Sequence, residues 1–548
     1  MKDKMILALY DIRGIQNFIF STNKLKENIG GSLLIQYLLE HEFKEILKKE
    51  LGDNYIGIAD VQDLNNTRAE AISVYIAGGN ALILFKDVGI EHEITKLLSK
   101  HILEKTGNEL TLMVAKINTE MKSISKDIEQ LHRCMEQNKA KYVQSFPQKG
   151  IGITRLEIQT DLPIQCFKNE KNYSYPSLVK RHYEKTKLKD YYERLLIQEN
   201  GGIEEDKKWK FPRNLDNLSF FTGKHHIALV HLDGNNIGKL IKELINEEND
   251  YLEGLKRYSQ FSEELKKIIN NSMKKTIADL INNLDTLKQK KIIDGDDEEK
   301  NGKKSKNLLP IRPIIMSGDD ITFICHGELG LGLAENLIKN VDTERQKNDY
   351  HMELLKNSLS LSGGVLITNY KFPFARAYPI LEDLARSAKL KGRILTSRSN
   401  KPDSWIDFQI INSGISSKLD IMRKNTYNCL GCNQAERLIG NGNIQMTQYN
   451  LLYRPWVLLG ETHNENNQFE KIKELSKQLK KWWPRSQIKN LQKSFFISKD
   501  KVRKVILENQ RRDRILDDSG DLKSGKWTQT PYFDAIEIIE YYNKINEV

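Results

Sequence analysis

Short apolar runs rich in β-branched residues, separated by long amphipathic stretches, set the pattern of this chain. "HIALVHLD" (226–233) has the make-up of a buried strand ending on Asp233, and "GNNIGKLIKELI" directly after it has helical spacing. Further on, "RPIIM" (312–316) and "ITFIC" (321–325) flank Ser317, Gly318, Asp319 and Asp320, which reads as a hairpin closed by a tight turn. "SLSLSGGVLITN" (358–369) is another strand, 372–393 a helix carrying Lys389 near its end, and "SWIDFQII" (404–411) a last strand. In order these predict a β-α-β-β-α-β unit, the ferredoxin-like or palm arrangement of an α+β fold.

The first half repeats the plan. A strand at "MILALYDIR" leads to a periodic helix in "GGSLLIQYLLEHEFKEILKK", and "AISVYIAGGNALILF" (71–85) is a second hairpin with a glycine pair at its tip. Asp11 precedes Gly79 by 68 positions and Asp233 precedes Asp319 by 86, and the longer interval holds a polar insertion of about 20 residues. Two related palms packed as a pseudo-dimer are therefore expected. The expected boundaries are 1–150 for the first, 151–225 for a connector, 226–411 for the second and 412–548 for a basic helical C-terminal domain. The lysine-, acid- and glycine-rich insertion near 286–308 is expected to be a mobile loop.

Composition narrows the class. Among 548 residues, 29% are charged and the formal net charge is +11, which favours a polyanionic neighbour such as RNA or an acidic protein face. Five scattered cysteines are poor material for a disulfide framework. There is no apolar run long enough to span a bilayer or serve as a leader, so a cytoplasmic protein without a membrane role is expected.

The candidate chemistry lies in the second palm. Adjacent carboxylates at about 4 Å repel by roughly 4 kcal/mol at an effective dielectric near 20, and a divalent cation removes that penalty. The palm topology would bring Asp233 beside Asp319 and Asp320, a hard oxygen cage for two Mg2+ or Mn2+ ions that hold a nucleotide triphosphate for in-line displacement. Gly318 and Gly234 would let the backbone approach phosphate, the helix start after Gly234, Asn235 and Asn236 would offer it free amides, and Lys389 would clamp it. "GNNIGK" is one residue short of a P-loop and lacks its Ser or Thr, and "DGDDEE" (294–299) lacks the spacing of an EF-hand. Cys429 and Cys432 form half a zinc site, with His463 the nearby imidazole. The bland alternative is a turn rich in Gly and Asp for turn geometry alone.

These motifs together resemble the Cas10 large subunit of type III CRISPR effector complexes, in its Cmr2 or Csm1 form. "DIRGIQNFIF" and "AGGNALILF" resemble the family's first palm, while "HLDGNNIGK" and "MSGDDITFI" resemble its DGD and GGDD motifs. The resemblance implies an RNA-guided antiviral complex in which target RNA switches on nucleotide synthesis from ATP. The product would be a cyclic oligoadenylate, or AMP joined to S-adenosylmethionine as second substrate. It implies metal ligation by Asp233, Asp319 and Asp320, and phosphate contact by Lys389 and by Ser317 with Gly318. Gly78, Gly79 and Asn80 would seat the second substrate. The implied partners are other type III effector subunits, CRISPR RNA and target RNA. Ser317 stands where the family motif has its first glycine, and Asn235 where many relatives carry an aspartate. The family's HD nuclease domain is expected to be missing, since the chain opens on the first palm strand and no His-Asp dipeptide occurs. The zinc module of the connector looks degenerate, with Cys166 alone there. A catalytically silent scaffold subunit is the competing expectation, and a free-standing cyclase a third.

Overall fold

In the computed structural model the described residues are 5–64, 67–142, 152–168, 171–196, 209–219, 225–248, 250–292, 308–396, 403–412, 418–427, 451–460, 468–512, 514 and 531–545. Cys429, Cys432, His463 and residues 293–307 of the insertion lie outside them, whereas Leu284–Gln289 at its start is helical.

Two sheets carry the structure. The first has β1 (Met5–Arg13), β2 (Tyr55–Gly57), β3 (Ala71–Ala77), β4 (Asn80–Phe85) and β5 (Thr111–Thr119), in the order β2-β3-β4-β1-β5. In the connector, β6 (Ile164–Lys168) and β7 (Lys171–Ser174) form a two-stranded ribbon. The second sheet has β8 (His226–Gly234), β9 (Ile311–Ser317), β10 (Asp320–His326), β11 (Leu361–Asn369), β12 (Ser404–Ile411) and β13 (Trp456–Leu459), in the order β13-β12-β11-β8-β10-β9. In each sheet the fourth, first, third and second strands of a palm lie side by side, as β5-β1-β4-β3 and β11-β8-β10-β9. The expected α+β fold with duplicated palms is therefore present.

One assignment inside the second palm is corrected. Its second helix is Gly330–Arg345 and its closing strand is β11, whereas helix Phe374–Thr396 and β12 form an added crossover, β12 running parallel to β11. The strand Trp456–Leu459 from the C-terminal region extends the same sheet beyond β12.

Local chemistry explains the element ends that matter. Asp87 accepts hydrogen bonds from the Gly89 and Ile90 amides and starts the helix Val88–Thr106, which Gly107 ends in the left-handed region at φ +63°. Asp250 caps the 32-residue helix Tyr251–Asn282 through the Glu253 amide. That helix lies against β3 of the first sheet and against helix Gly330–Arg345 of the second. Strands β1 and β8 contribute to one continuous apolar core, so the lobes are packed as a single body.

Candidate active site

The site begins at the end of β8. Strand alternation puts His231 and Asp233 on one face. β8 is flanked by β10 (Leu232 opposite Ile321) and by β11 (Asp233 opposite Ser362). Ser317 pairs with Asp320 across a turn made by Gly318, at φ +61°, and Asp319. Gly234 is what lets the turn close on the strand: a Cβ there would lie 2.7 Å from Asp319 Oδ2.

The two carboxylates that meet are Asp233 and Asp319, which share a hydrogen bond. Burial, and then the charge of Asp233, push the Asp319 carboxyl up to about 7. Asp320 turns instead toward His231, its Oδ1 3.2 Å from Nδ1, and that nitrogen also lies 3.0 Å from Thr322 Oγ1. Burial alone would lower the imidazole pKa, but Asp320 and Asp233 outweigh it and raise the value. Lys389 donates to the Asp233 carboxylate and, at 2.9 Å, to the Gly234 carbonyl. Tyr378 stands edge-on to His231 with ring centroids 5.9 Å apart, and burial raises both its hydroxyl and the nearby Glu382 carboxyl.

Asn235 faces another way. Its amide donates to Ser360 Oγ and Ser362 Oγ, both at 2.9 Å, and to the Asp403 carbonyl at 3.2 Å. It therefore locks the strand end to β11 and β12. Asn236 is exposed and left-handed, at φ +57°, where it opens helix Ile237–Asn246. Motif reading singled out neither His231 nor the Ser360, Ser362 and Asp403 niche. The i, i+2 spacing of His231 and Asp233 on one strand is the one signal that could have found the histidine.

The first lobe reaches the same place. Gly78 and Gly79 form its turn at φ +67° and +94°, and a Cβ on Gly78 would collide with Ser317 Oγ. The two hairpin tips thus touch across the lobe boundary. Gly79 is buried and Asn80 is exposed beside it.

Hard carboxylate oxygens and a raised Asp319 pKa are the chemistry of two acids crowded together with one proton between them, which a divalent ion would replace. Among the described residues, no three acidic, histidine or cysteine side chains already converge on one point suited to an ion. Completing a cage requires Asp320 to leave His231 and Asp233 to leave Lys389. No helix among the described residues is long and apolar enough to cross a membrane.

Residues 226–394 match the family model described as Cas10/Cmr2, second palm domain. The structure of Csm1 from T. onnurineus superposes over 98% of this chain and 69% of that one, at TM-score 0.51 and 12% identity. A Csm1-Csm4 cassette in complex with pppApApA superposes over the same shares at TM-score 0.50 and 13% identity. An apo Csm1-Csm4 cassette matches 71% of this chain and 53% of that one, at TM-score 0.41 and 14% identity. The chain thus spans about half to seven-tenths of those Csm1 chains. No curated protein matches the sequence. The resemblance to a Cas10 large subunit is borne out, by the family model in the second lobe and by the fold throughout.

Proposed function

We propose that this chain, whose residues 226–394 are a Cas10/Cmr2 second palm, is the nucleotidyltransferase subunit of a type III RNA-guided complex. Its reaction joins ATP into an adenylate messenger with release of pyrophosphate once target RNA is bound. The observation that carries this reading is the Asp233–Asp319 pair, two carboxylates sharing a hydrogen bond beside a hairpin whose Ser317 meets the opposite lobe's glycine turn.

Asp233, Asp319 and Asp320 would hold Mg2+ or Mn2+, which when bound favours ionisation of an attacking hydroxyl and neutralises departing pyrophosphate. The chain's own residues prepare the rest. Lys389, released from Asp233, is long enough to carry its charge to a phosphate oxygen. Gly318 presents bare backbone to the triphosphate. His231 holds Asp320, with Nδ1 3.2 Å from Oδ1, until an ion draws that carboxylate across to Asp233 and Asp319. Asn235 fixes the strand end so that Asp233 keeps its place. A relative solved with pppApApA supports an adenylate product carrying a 5′-triphosphate as intermediate. Partner subunits, CRISPR RNA and target RNA belong to the same reading, as does S-adenosylmethionine as an alternative acceptor.

The test is pyrophosphate release and mass spectrometry of the product from the assembled complex with guide, matching RNA, ATP and Mg2+, with and without S-adenosylmethionine. Asp319→Ala with Asp320→Ala should lower the rate by about three orders of magnitude or more, since the lost ion stabilisation is several kcal/mol. Undiminished synthesis in that double variant would refute the assignment, and silence of the wild-type complex would favour a scaffold role.

A further inference from the structure

Apart from its glycine turn, the first lobe reaches the acidic site through an aromatic ring. β1 is followed by the short helix Ile15–Ile19 and then by Phe20, which is 1% exposed. The Phe20 ring stacks on Tyr378 of helix Phe374–Thr396, with centroids 4.4 Å apart and planes at 17°, and meets the Phe374 ring edge-on at 6.2 Å. Tyr378 in turn stands edge-on to His231, and His231 faces Asp320. A continuous row of side chains thus runs from a buried loop of one lobe to the carboxylate that must move in the other.

That loop is fixed at several points. Asn28 Nδ2 donates to the Ile19 carbonyl at 2.7 Å and to the Thr22 carbonyl at 3.2 Å. Lys180, buried on the connector helix Tyr175–Tyr191, donates to Ser21 Oγ at 2.8 Å and to the Phe18 carbonyl. Asn23 Oδ1 accepts from the Phe374 amide at 2.7 Å, so the loop also caps the helix that carries Tyr378. Phe20 is therefore a fixed backstop for Tyr378, itself 3% exposed. With the Tyr378 ring against it and Thr322 Oγ1 3.0 Å from Nδ1, the imidazole is held in an orientation whose Nδ1 points at Asp320. Without that support the ring gains rotamers in which Nδ1 points elsewhere, and the clasped fraction of Asp320 falls.

We propose that Phe20, acting through Tyr378, positions His231 to clasp Asp320, so that a first-lobe side chain outside the site sets how readily the second lobe's carboxylates gather round an ion. The ion belongs to the nucleotidyltransferase reading above, whereas the clasp can be measured without one. Since Asp320 has to leave His231 before it can serve as a ligand, a weaker clasp means a larger ion-competent fraction and tighter ion binding.

The experiment is Mn2+ binding to the full chain without nucleotide, read from the electron paramagnetic resonance signal of the free ion. Phe20→Leu and Tyr378→Leu should each bind Mn2+ about fivefold more tightly than wild type, the scale of one aromatic contact. Tyr378→Phe, which keeps the ring, should match wild type. In a His231→Leu background, Phe20→Leu should change nothing further. Damage to the fold would weaken binding, so the sign of the change separates positioning from a structural role. Thermal melts in EDTA give a second readout: Phe20→Leu with Asp320→Ala should lower the melting temperature by less than the two single losses added together. Where wild type binds the ion, the proposal is overturned if Phe20→Leu binds it no more tightly, or keeps its effect once His231 is gone. Additive melting losses overturn it in every case. Should neither wild type nor any variant bind Mn2+, the catalytic reading fails and the melts decide the clasp by themselves.

Discussion

Asp319 is the residue on which the site turns, and its raised pKa has a measurable sign. The folded protein holds that proton more tightly than the unfolded chain, so its stabilising share is complete below the ordinary carboxylate value. That share is lost as pH rises from about 4 to about 7. The loss is on the order of a few kcal/mol, one pKa unit being about 1.4 kcal/mol. Thermal melts in EDTA should therefore show wild type losing stability relative to Asp319→Asn across that window, and Mg2+ above pH 7 should return most of the difference. A wild type that tracks Asp319→Asn at every pH would mean that Asp233 and Asp319 do not share a proton. The acids themselves were legible in the sequence because two neighbouring carboxylates in a two-residue turn are costly without a purpose. His231 was not, since one histidine within an apolar strand looks like any core residue. Asn235 was read as a nucleotide contact, yet its amide is spent on Ser360, Ser362 and Asp403. Those partners lie at the starts of β11 and β12, 125 to 168 positions away, a distance that no local pattern encodes.

Among the elements, the two hairpins do most to assemble the site, and their turns can be separated energetically. Gly78 and Gly318 both sit at positive φ, where any L side chain costs roughly 1–2 kcal/mol. A Cβ on Gly318 meets nothing within 4 Å, whereas one on Gly78 collides with Ser317 Oγ. Gly78→Ala should thus cost more than Gly318→Ala by urea denaturation, and the excess should shrink in a Ser317→Ala background. Equal costs in both backgrounds would show that the tips do not touch in solution. Both hairpins were legible because β-branched runs bracket short Gly-rich turns. Helix Gly330–Arg345 was missed for the opposite reason: "GLGLAENLIKNV" opens on two glycines and is buried almost all round, from Gly330 to Ile338, so no polar face marks its period. With that helix unread, the closing βα places were given to the next pair along the chain.

At the scale of the whole molecule, buried ionic groups tie the C-terminal region to the catalytic sheet. Arg454 is fully buried, paired with Asp534 at 3.3 Å and with Glu537, and its guanidinium lies 4.0 Å from the centre of the Phe408 ring on β12. Asp534, on helix Pro531–Ile538, accepts from the Arg454 amide at 2.9 Å and from Trp456 Nε1 at 3.0 Å. Burial raises its pKa to about 6 despite the arginine. The helical spacing of the tail was readable, but its attachment was not, because the acid that holds Arg454 lies 80 positions further on, beyond any local pattern. Since β12 pairs with β11 and β11 with β8, this cluster anchors the sheet from which Asp233 projects. Removing one member of a buried pair leaves the other charge uncompensated, so Asp534→Ala should cost about 3–5 kcal/mol. Asp534→Asn keeps an acceptor for the amide and indole donors and should cost less. Denaturation should report either loss with nucleotide binding lost in step, because the largest apolar core runs from β1 through β8 to helix Pro531–Ile538. A separate early transition that leaves ATP-analogue binding intact would instead make the C-terminal region an appendage whose removal the site survives.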